Sequence, residues 1–341
     1  MPKKADAGIA LLQPIVDKQL EQLQAFYEAA MKKEPVSELY DCITPNLDGS
    51  ARDFCKRIDG ELHLCESTEQ AEVHSANLYA VKALEARLAL IFRRRFPRDN
   101  VRIRVYGSCL SGLSVGATSD VDVSLELDQG TELLADFDAG RISAEAFDKR
   151  RKKLVYSVCR CLEQDYKFEF YDMQPVARAR VPDIKGKWKI HHDKNSKKGR
   201  RGAKSVAHLD FDICLFNGIA YANSSLLREY TFVDPRVKPL IRLVKQWAKA
   251  MNIGSAANGT LSSYAWTTLV VFFLQGHGIV PNLQSNSLWE TVGVSPDPSN
   301  PDHSVKNLRT FYASWEQVQS VWTPASSMND LSVSALFYGF I

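Results

Sequence analysis

Val101, Ile103 and Val105 alternate with charged residues, the chain then breaks into small residues from Gly107 to Ser119, and Val121, Val123, Leu125 and Leu127 alternate again. Alternation of period two marks a half-buried strand, so residues 101–127 predict strand, small-residue loop, strand. In the second strand the four apolar residues share one face, and Asp120, Asp122, Ser124 and Glu126 share the other. Residues 208–215 repeat the pattern, with Leu209, Phe211, Ile213 and Leu215 opposite His208, Asp210, Asp212 and Cys214. Further strands are expected at Lys167–Tyr171 and Val176–Val181.

Helical spacing takes over elsewhere. Ile9, Leu12, Val16, Leu20, Leu23 and Tyr27 give an amphipathic helix within residues 8–33, and residues 36–65 are irregular. A capping box at Ser67 and Gln70 opens a second helix that ends at Phe96-Pro97, with Leu78, Val81, Leu84, Leu88 and Ile91 as its core stripe. Ser143–Gln164 forms a third. Asp234-Pro235 reads as N-cap and first residue of a helix burying Val237, Leu240, Ile241, Val244, Ala248 and Met251, from which Lys245 and Lys249 project together. A helix over Tyr264–Gln275 closes at Gly276-His277-Gly278, and Ser304–Val321 and Asp330–Ile341 are weakly helical. The chain ends in SALFYGFI, as for a buried terminus or a helix cut short.

Composition adds one local feature. The 341 residues carry a net charge of only +3, yet residues 183–204 hold nine Lys or Arg against two Asp, so the rest of the chain is net negative. Few apolar residues besides Trp188 and Ile190 interrupt the run, which reads as a mobile loop suited to nucleic-acid phosphates. The seven cysteines include no C-x-x-C pair, which suits reduced thiols in an intracellular protein, mitochondrial matrix or cytoplasm left open. No secretory leader pattern opens the sequence, and its most apolar run, Tyr264–Leu274, is too short to span a bilayer.

Asp120 and Asp122, side by side, repel unless a cation lies between them, and hard oxygen ligands beside a Gly- and Ser-rich loop suit Mg²⁺ and a polyphosphate. A third carboxylate is available on residues 208–215, and spacing alone does not choose between Asp210 and Asp212.

In order, the chain carries Gly107-Ser108, Asp120-Val121-Asp122, Asp212-Ile213 with Asn217, Asn223-Ser224 with Leu226, Leu227 and Tyr230, Asp234–Pro239, Lys245 to Lys249, and Thr260–Tyr264. This series resembles the terminal uridylyltransferases and noncanonical poly(A) polymerases, most of all the compact uridylyltransferases of kinetoplastids. The resemblance covers roughly residues 100–275. It implies an α+β fold, with a polymerase beta-like nucleotidyltransferase domain on a mixed sheet over 66–225 and a mostly helical poly(A)-polymerase-associated domain over 226–341. Residues 1–65 would pack on the latter, and the active site would lie in the cleft between domains.

The implied enzyme adds UMP from UTP to an RNA 3′-hydroxyl and releases pyrophosphate, using two Mg²⁺ or Mn²⁺ ions held by Asp120, Asp122 and Asp212. By the same resemblance Gly107, Ser108 and Ser119 receive the triphosphate, with Lys245 and Lys249 on its far end. Asn223 and Ser224 contact ribose or base, Ser263 the phosphates, and Tyr264 stacks on the base. Asp330 is the candidate reader of the uracil edge, and the second acid expected near the C-terminus is not visible. Lys185, Lys187, Lys189, Lys197, Lys198, Arg200 and Arg201 are expected to grip the RNA backbone, because Lys and Arg without interleaved aromatics give phosphate contacts. A larger RNA-processing complex is an expected partner and a membrane is not. The competing readings are an ATP-using adenylyltransferase and an inert RNA-binding subunit.

Overall fold

The computed structural model describes residues 68–115, 120–179, 181–190, 208–215, 217–297, 304–305, 308–324 and 331–341. The expectations placed on residues 1–67, Ser119, Lys197, Lys198, Arg200, Arg201 and Asp330 lie outside them. The chain divides into two compact units, residues 60–333 and residues 1–59 with 334–341. All elements that build the site belong to the first.

Its centre is a five-stranded sheet made of β1 (Arg102–Tyr106), β2 (Val121–Glu126), β3 (Phe170–Val176), β4 (Asp183–Lys189) and β5 (His208–Leu215). The spatial order is β1-β2-β5-β4-β3, with β2 and β5 parallel and the other pairs antiparallel. Two helices cover the apolar face. In α1 (Thr68–Arg95) the stripe Val81, Leu84, Leu88, Ile91 and Phe92 is buried, and Pro97 follows its end. Leu78, expected in that stripe, is 44% exposed. The short α2 (Gly107–Ser111) follows β1, and α3 (Asp128–Asp138) follows β2. The second covering helix is α4 (Ala144–Arg160), whose Ser143 N-cap accepts from the Ala146 N–H and which buries Leu154, Val155 and Val158. These residues meet Val121, Val123, Leu125, Leu209, Phe211, Ile213 and Leu215, the faces that alternation predicts.

The segment after α4 departs from expectation. Residues 167–169 form a turn and a single strand spans Phe170–Val176, where two strands were expected at Lys167–Tyr171 and Val176–Val181. Asp172, at φ +53°, sits in a register shift between Tyr171 and Gln174 that breaks the alternation. A larger correction concerns the basic run: residues 183–189 are strand β4, not loop. Ile184, Gly186 and Trp188 lie on the buried face, which leaves Asp183, Lys185, Lys187 and Lys189 on the other. Lys185 and Lys187 stand in register with Asp212 and Asp210 of β5, so opposite charges face each other across the pair, and Lys189 stands opposite His208.

Gly186 lets this strand lie close over the core. A Cβ there would sit 2.5 Å from Met173 Sδ and 2.9 Å from Phe211 Cζ. Gly186→Ala is therefore expected to destabilise the protein by about 1–3 kcal/mol, read by chemical denaturation, because overpacking forces the sulfur and ring aside.

The β1–β2 end of the polar face carries α5 (Gly218–Val233), which packs on α2 and β1 and is followed by α6 (Val237–Ala250) and α7 (Ser263–Gly276). Asp234 keeps an extended backbone, and its carboxylate accepts from the Arg236 N–H at 2.8 Å in the manner of a cap and pairs with the Arg236 guanidinium, while the regular helix runs from Val237. Trp247 and Trp266 meet edge to face at 5.5 Å, joining α6 to α7. Beyond them lie α8 (Asn286–Val292), the two-residue strands β6 (Ser304–Val305) and β7 (Leu308–Arg309), α9 (Trp315–Val318) and α10 (Val333–Phe340). Among the described residues of the weakly helical Ser304–Val321 only Trp315–Val318 is therefore helix, and Ser314 with Gln317 forms its capping box.

Candidate active site

Asp122 and Asp212 are register partners on the adjacent parallel strands β2 and β5, with side chains on the same polar face. Asp120 stands exposed just ahead of β2. Burial, then the charges of Asp212 and Asp120, push the Asp122 carboxyl up to about 6. Asp120 is raised by burial and by Asp212 and Asp210. Lys185 and Lys245 offset only part of this mutual repulsion, and the hard oxygens suit a divalent cation. The donor set fits such an ion chemically. Its geometry is not closed: among the described residues no three His, Cys, Asp or Glu side chains gather as ligands. Asp212 Oδ2 instead lies 2.5 Å from Lys185 Nζ.

The turn before the carboxylates is equally constrained. Gly107 has φ +69°, and a Cβ there would lie 2.1 Å from Asp122 Oδ2, so only glycine lets the backbone come this close. Its N–H donates to Ser224 Oγ at 2.8 Å, and that hydroxyl donates to the Ala220 carbonyl at 2.7 Å. Ser224 is thus buried and used internally, tying α5 to the turn. Ser108 Oγ accepts from Ser114 Oγ at 3.2 Å, and Asn223 is half-buried beside Ser224. Tyr106 donates its hydroxyl to Cys214 Sγ at 3.0 Å, and this buried contact links β1 to β5.

Lys245 is half-buried and donates to the Leu113 carbonyl at 2.7 Å, reaching the end of the same loop. Burial and Arg242 lower its pKa, while Asp122 and Cys109 act to raise it, so its charge is felt at the carboxylates. Lys249, one turn on, is exposed. Ser262 caps α7 by accepting from the Ala265 N–H, which leaves Ser263 exposed. Tyr264 is 48% exposed, so it is not a core aromatic.

Of the lysines expected to grip RNA, Lys185 pairs with Asp212 and Lys187 with Asp172, while Lys189 is exposed at the end of β4. Sequence reading missed that Lys185 stands among the carboxylates. The signal was present in the alternation of Ile184, Gly186 and Trp188, but glycine blurs it and the lysines resemble a solvated loop.

Residues 61–231 match the family described as "Poly(A) RNA polymerase, mitochondrial-like, central palm domain". The chain belongs to that family. Among relatives, it is 28% identical over 215 residues to the zebrafish (Danio rerio) poly(A) RNA polymerase GLD2, covering 62% of this chain and 37% of that one. It is 30% identical over 199 residues to human terminal uridylyltransferase 7, covering 58% of this chain and 11% of the relative. The chain therefore spans about a third or less of the length of these relatives. A solved structure of the Cid1 poly(U) polymerase superposes with a TM-score of 0.53 at 23% identity, covering 84% of this chain and 72% of that one. The α+β, polymerase beta-like fold expected from the sequence is thus the fold of this palm family. No helix among the described residues is long and apolar enough to cross a membrane.

Proposed function

We propose that this chain transfers a uridylyl group from UTP to an RNA 3′-hydroxyl. The observation that carries the reading is the pairing of Asp122 with Asp212 on parallel neighbours, with Gly107 pressed against Asp122. Asp120, Asp122 and Asp212 would hold two divalent ions, Mg²⁺ or Mn²⁺. Ions bound there lower the hydroxyl's pKa and neutralise charge on the entering and leaving oxygens. The hydroxyl gives its proton to solvent, its oxygen forms a bond to the α-phosphorus as the bond from that phosphorus to the bridging β-phosphate oxygen breaks, and pyrophosphate departs with that electron pair.

The residues of the chain supply placement. Gly107, Ser108 and Ser119 line the triphosphate, and Lys245, held beside the loop through the Leu113 carbonyl, brings positive charge to it together with Lys249. Ser224 acts by fixing the Gly107 turn, and Asn223 faces the ribose. Ser263 touches phosphate. Tyr264 offers its exposed ring to the base, since aromatic stacking tolerates water on one side. Tyr264→Ala should raise the KM for UTP about tenfold with little change in kcat, as stacking is worth about 1–3 kcal/mol per base. An unchanged KM in initial-rate measurements removes the tyrosine from the site.

Base choice is tested by offering each of the four nucleoside triphosphates with Mg²⁺ and a short RNA. Faster extension with UTP supports uridylyl transfer. Faster extension with ATP moves the chain to the adenylyl-transfer reading, which the match to a poly(A) polymerase palm favours. No extension with any of them, together with RNA binding, leaves the inert-subunit reading.

A further inference from the structure

Lys185 Nζ lies 2.5 Å from Asp212 Oδ2 and 3.9 Å from Asp183 Oδ2. Lys185 is the register partner of Asp212 across β4 and β5, and Asp183 is two residues back on the same face of β4. The second oxygen of Asp183, Oδ1, is shielded from water and has no hydrogen-bond partner among the described residues. One ammonium therefore has two carboxylates within reach, one engaged and one waiting. The engaged one is the carboxylate that a metal site built on Asp120 and Asp122 lacks.

We propose that Lys185 is a resident counter-ion of the metal site, holding Asp212 while no divalent ion is bound and passing to Asp183 when Asp212 turns to the metal. This rests on the metal reading of Asp120, Asp122 and Asp212. Five carboxylates occupy this part of the polar face, Asp120, Asp122, Asp183, Asp210 and Asp212, and without a cation their repulsion opposes folding. A lysine suits the exchange, since its compact charge rides on a flexible four-carbon stem. If Lys185 simply lost Asp212 to the metal, its half-exposed ammonium would keep only water as a partner, and the shielded oxygen of Asp183 would stay without one. Passing to Asp183 pairs both, and the shielded carboxylate gains more from it than the lysine does. Lys185 is a positioning residue in this account. It works against metal binding, and Asp183 works for it.

The test titrates the full chain with Mn²⁺, free of nucleotide and RNA, and reads unbound Mn²⁺ by electron paramagnetic resonance. Lys185→Gln should bind about fivefold tighter and Asp183→Asn about fivefold weaker than the parent, the scale of a partly exposed ion pair. General loss of structure would weaken both. Long-range charge alone predicts the same signs, so the deciding protein is the double variant. If the exchange operates, Asp183→Asn has no further effect once Lys185 is Gln, because no ammonium remains to be received. If Asp183→Asn weakens binding equally in both backgrounds, the exchange is overturned and only a field effect remains. Lys185→Gln binding no tighter than the parent also overturns it. Failure of the metal reading looks different: the parent itself would show no chelator-reversible Mn²⁺ binding, or Asp122→Asn would bind as the parent does. In chelator, Lys185→Gln should unfold at lower temperature than the parent.

Discussion

Asp122→Asn is expected to lose nucleotide incorporation by about three powers of ten or more while making the metal-free protein harder to unfold. The loss follows from the ion's contribution to transition-state charge, several kcal/mol at about 1.4 kcal/mol per tenfold. The gain follows from the folded carboxyl titrating at about 6 against an ordinary 3.8, because burial and two neighbouring carboxylates penalise its charge. At neutral pH that penalty is on the order of 1–3 kcal/mol, and the amide escapes it. The sign with pH is definite. A raised folded pKa gives stability that is complete below the unfolded value and lost as pH rises through about 6. In chelator, the parent should therefore be more stable near pH 5 than near pH 7 as far as this group decides, and Asp122→Asn should lack that slope. Divalent binding should run the other way, tightening as pH rises through the same range. Denaturant unfolding with and without chelator, at both pH values, checks all three statements.

The division of labour between sequence and structure is visible in the same residues. The two-residue period around Asp122 and Asp212 placed both carboxylates on the polar face of their strands, and both lie there. Spacing left Asp210 and Asp212 equivalent. The parallel register separates them, since Asp212 stands opposite Asp122, a fact about two strands that neither strand records. Lys185 was hidden for another reason: charge composition is read over a window, and a strand with three lysines on its exposed face looks like a loop. The partner of the Ser224 hydroxyl was likewise beyond reach, because Gly107 lies 117 residues away.

Gly107→Ala is the second substitution expected to act strongly. The new methyl meets a left-handed backbone at φ +69° and the Asp122 carboxylate at 2.1 Å. The backbone strain costs roughly 1 kcal/mol by itself. The clash is relieved only by moving Asp122 or by breaking the Gly107 N–H to Ser224 contact, and either displaces the turn relative to the carboxylates. A shift of about 1 Å in a reacting geometry lowers rate about a hundredfold, so incorporation should fall by that order. Mn²⁺ binding by the same variant separates the two routes. Weakened binding means that Asp122 moved, and preserved binding with a raised KM for UTP means that the turn did. An Ala variant with parental kinetics would contradict the close approach itself.

The β2–β5 pairing also sets an order of events during synthesis. Asp122 and Asp212 are 90 positions apart, and the strands between them in sequence, β3 and β4, pair on the far side of β5. No local segment contains the carboxylate pair, and contacts this remote in sequence form slowly. A chain growing from the ribosome thus has no Asp122–Asp212 pair until residue 212 and its strand have emerged and inserted between β2 and β4. Until then β2 presents an open edge, with the apolar row Val121, Val123 and Leu125 beside it, where another strand can pair. If the proposed ion site exists, acquisition of divalent affinity should accordingly be a late marker of folding, and conditions that slow insertion of β5 should favour aggregation before they alter the finished protein.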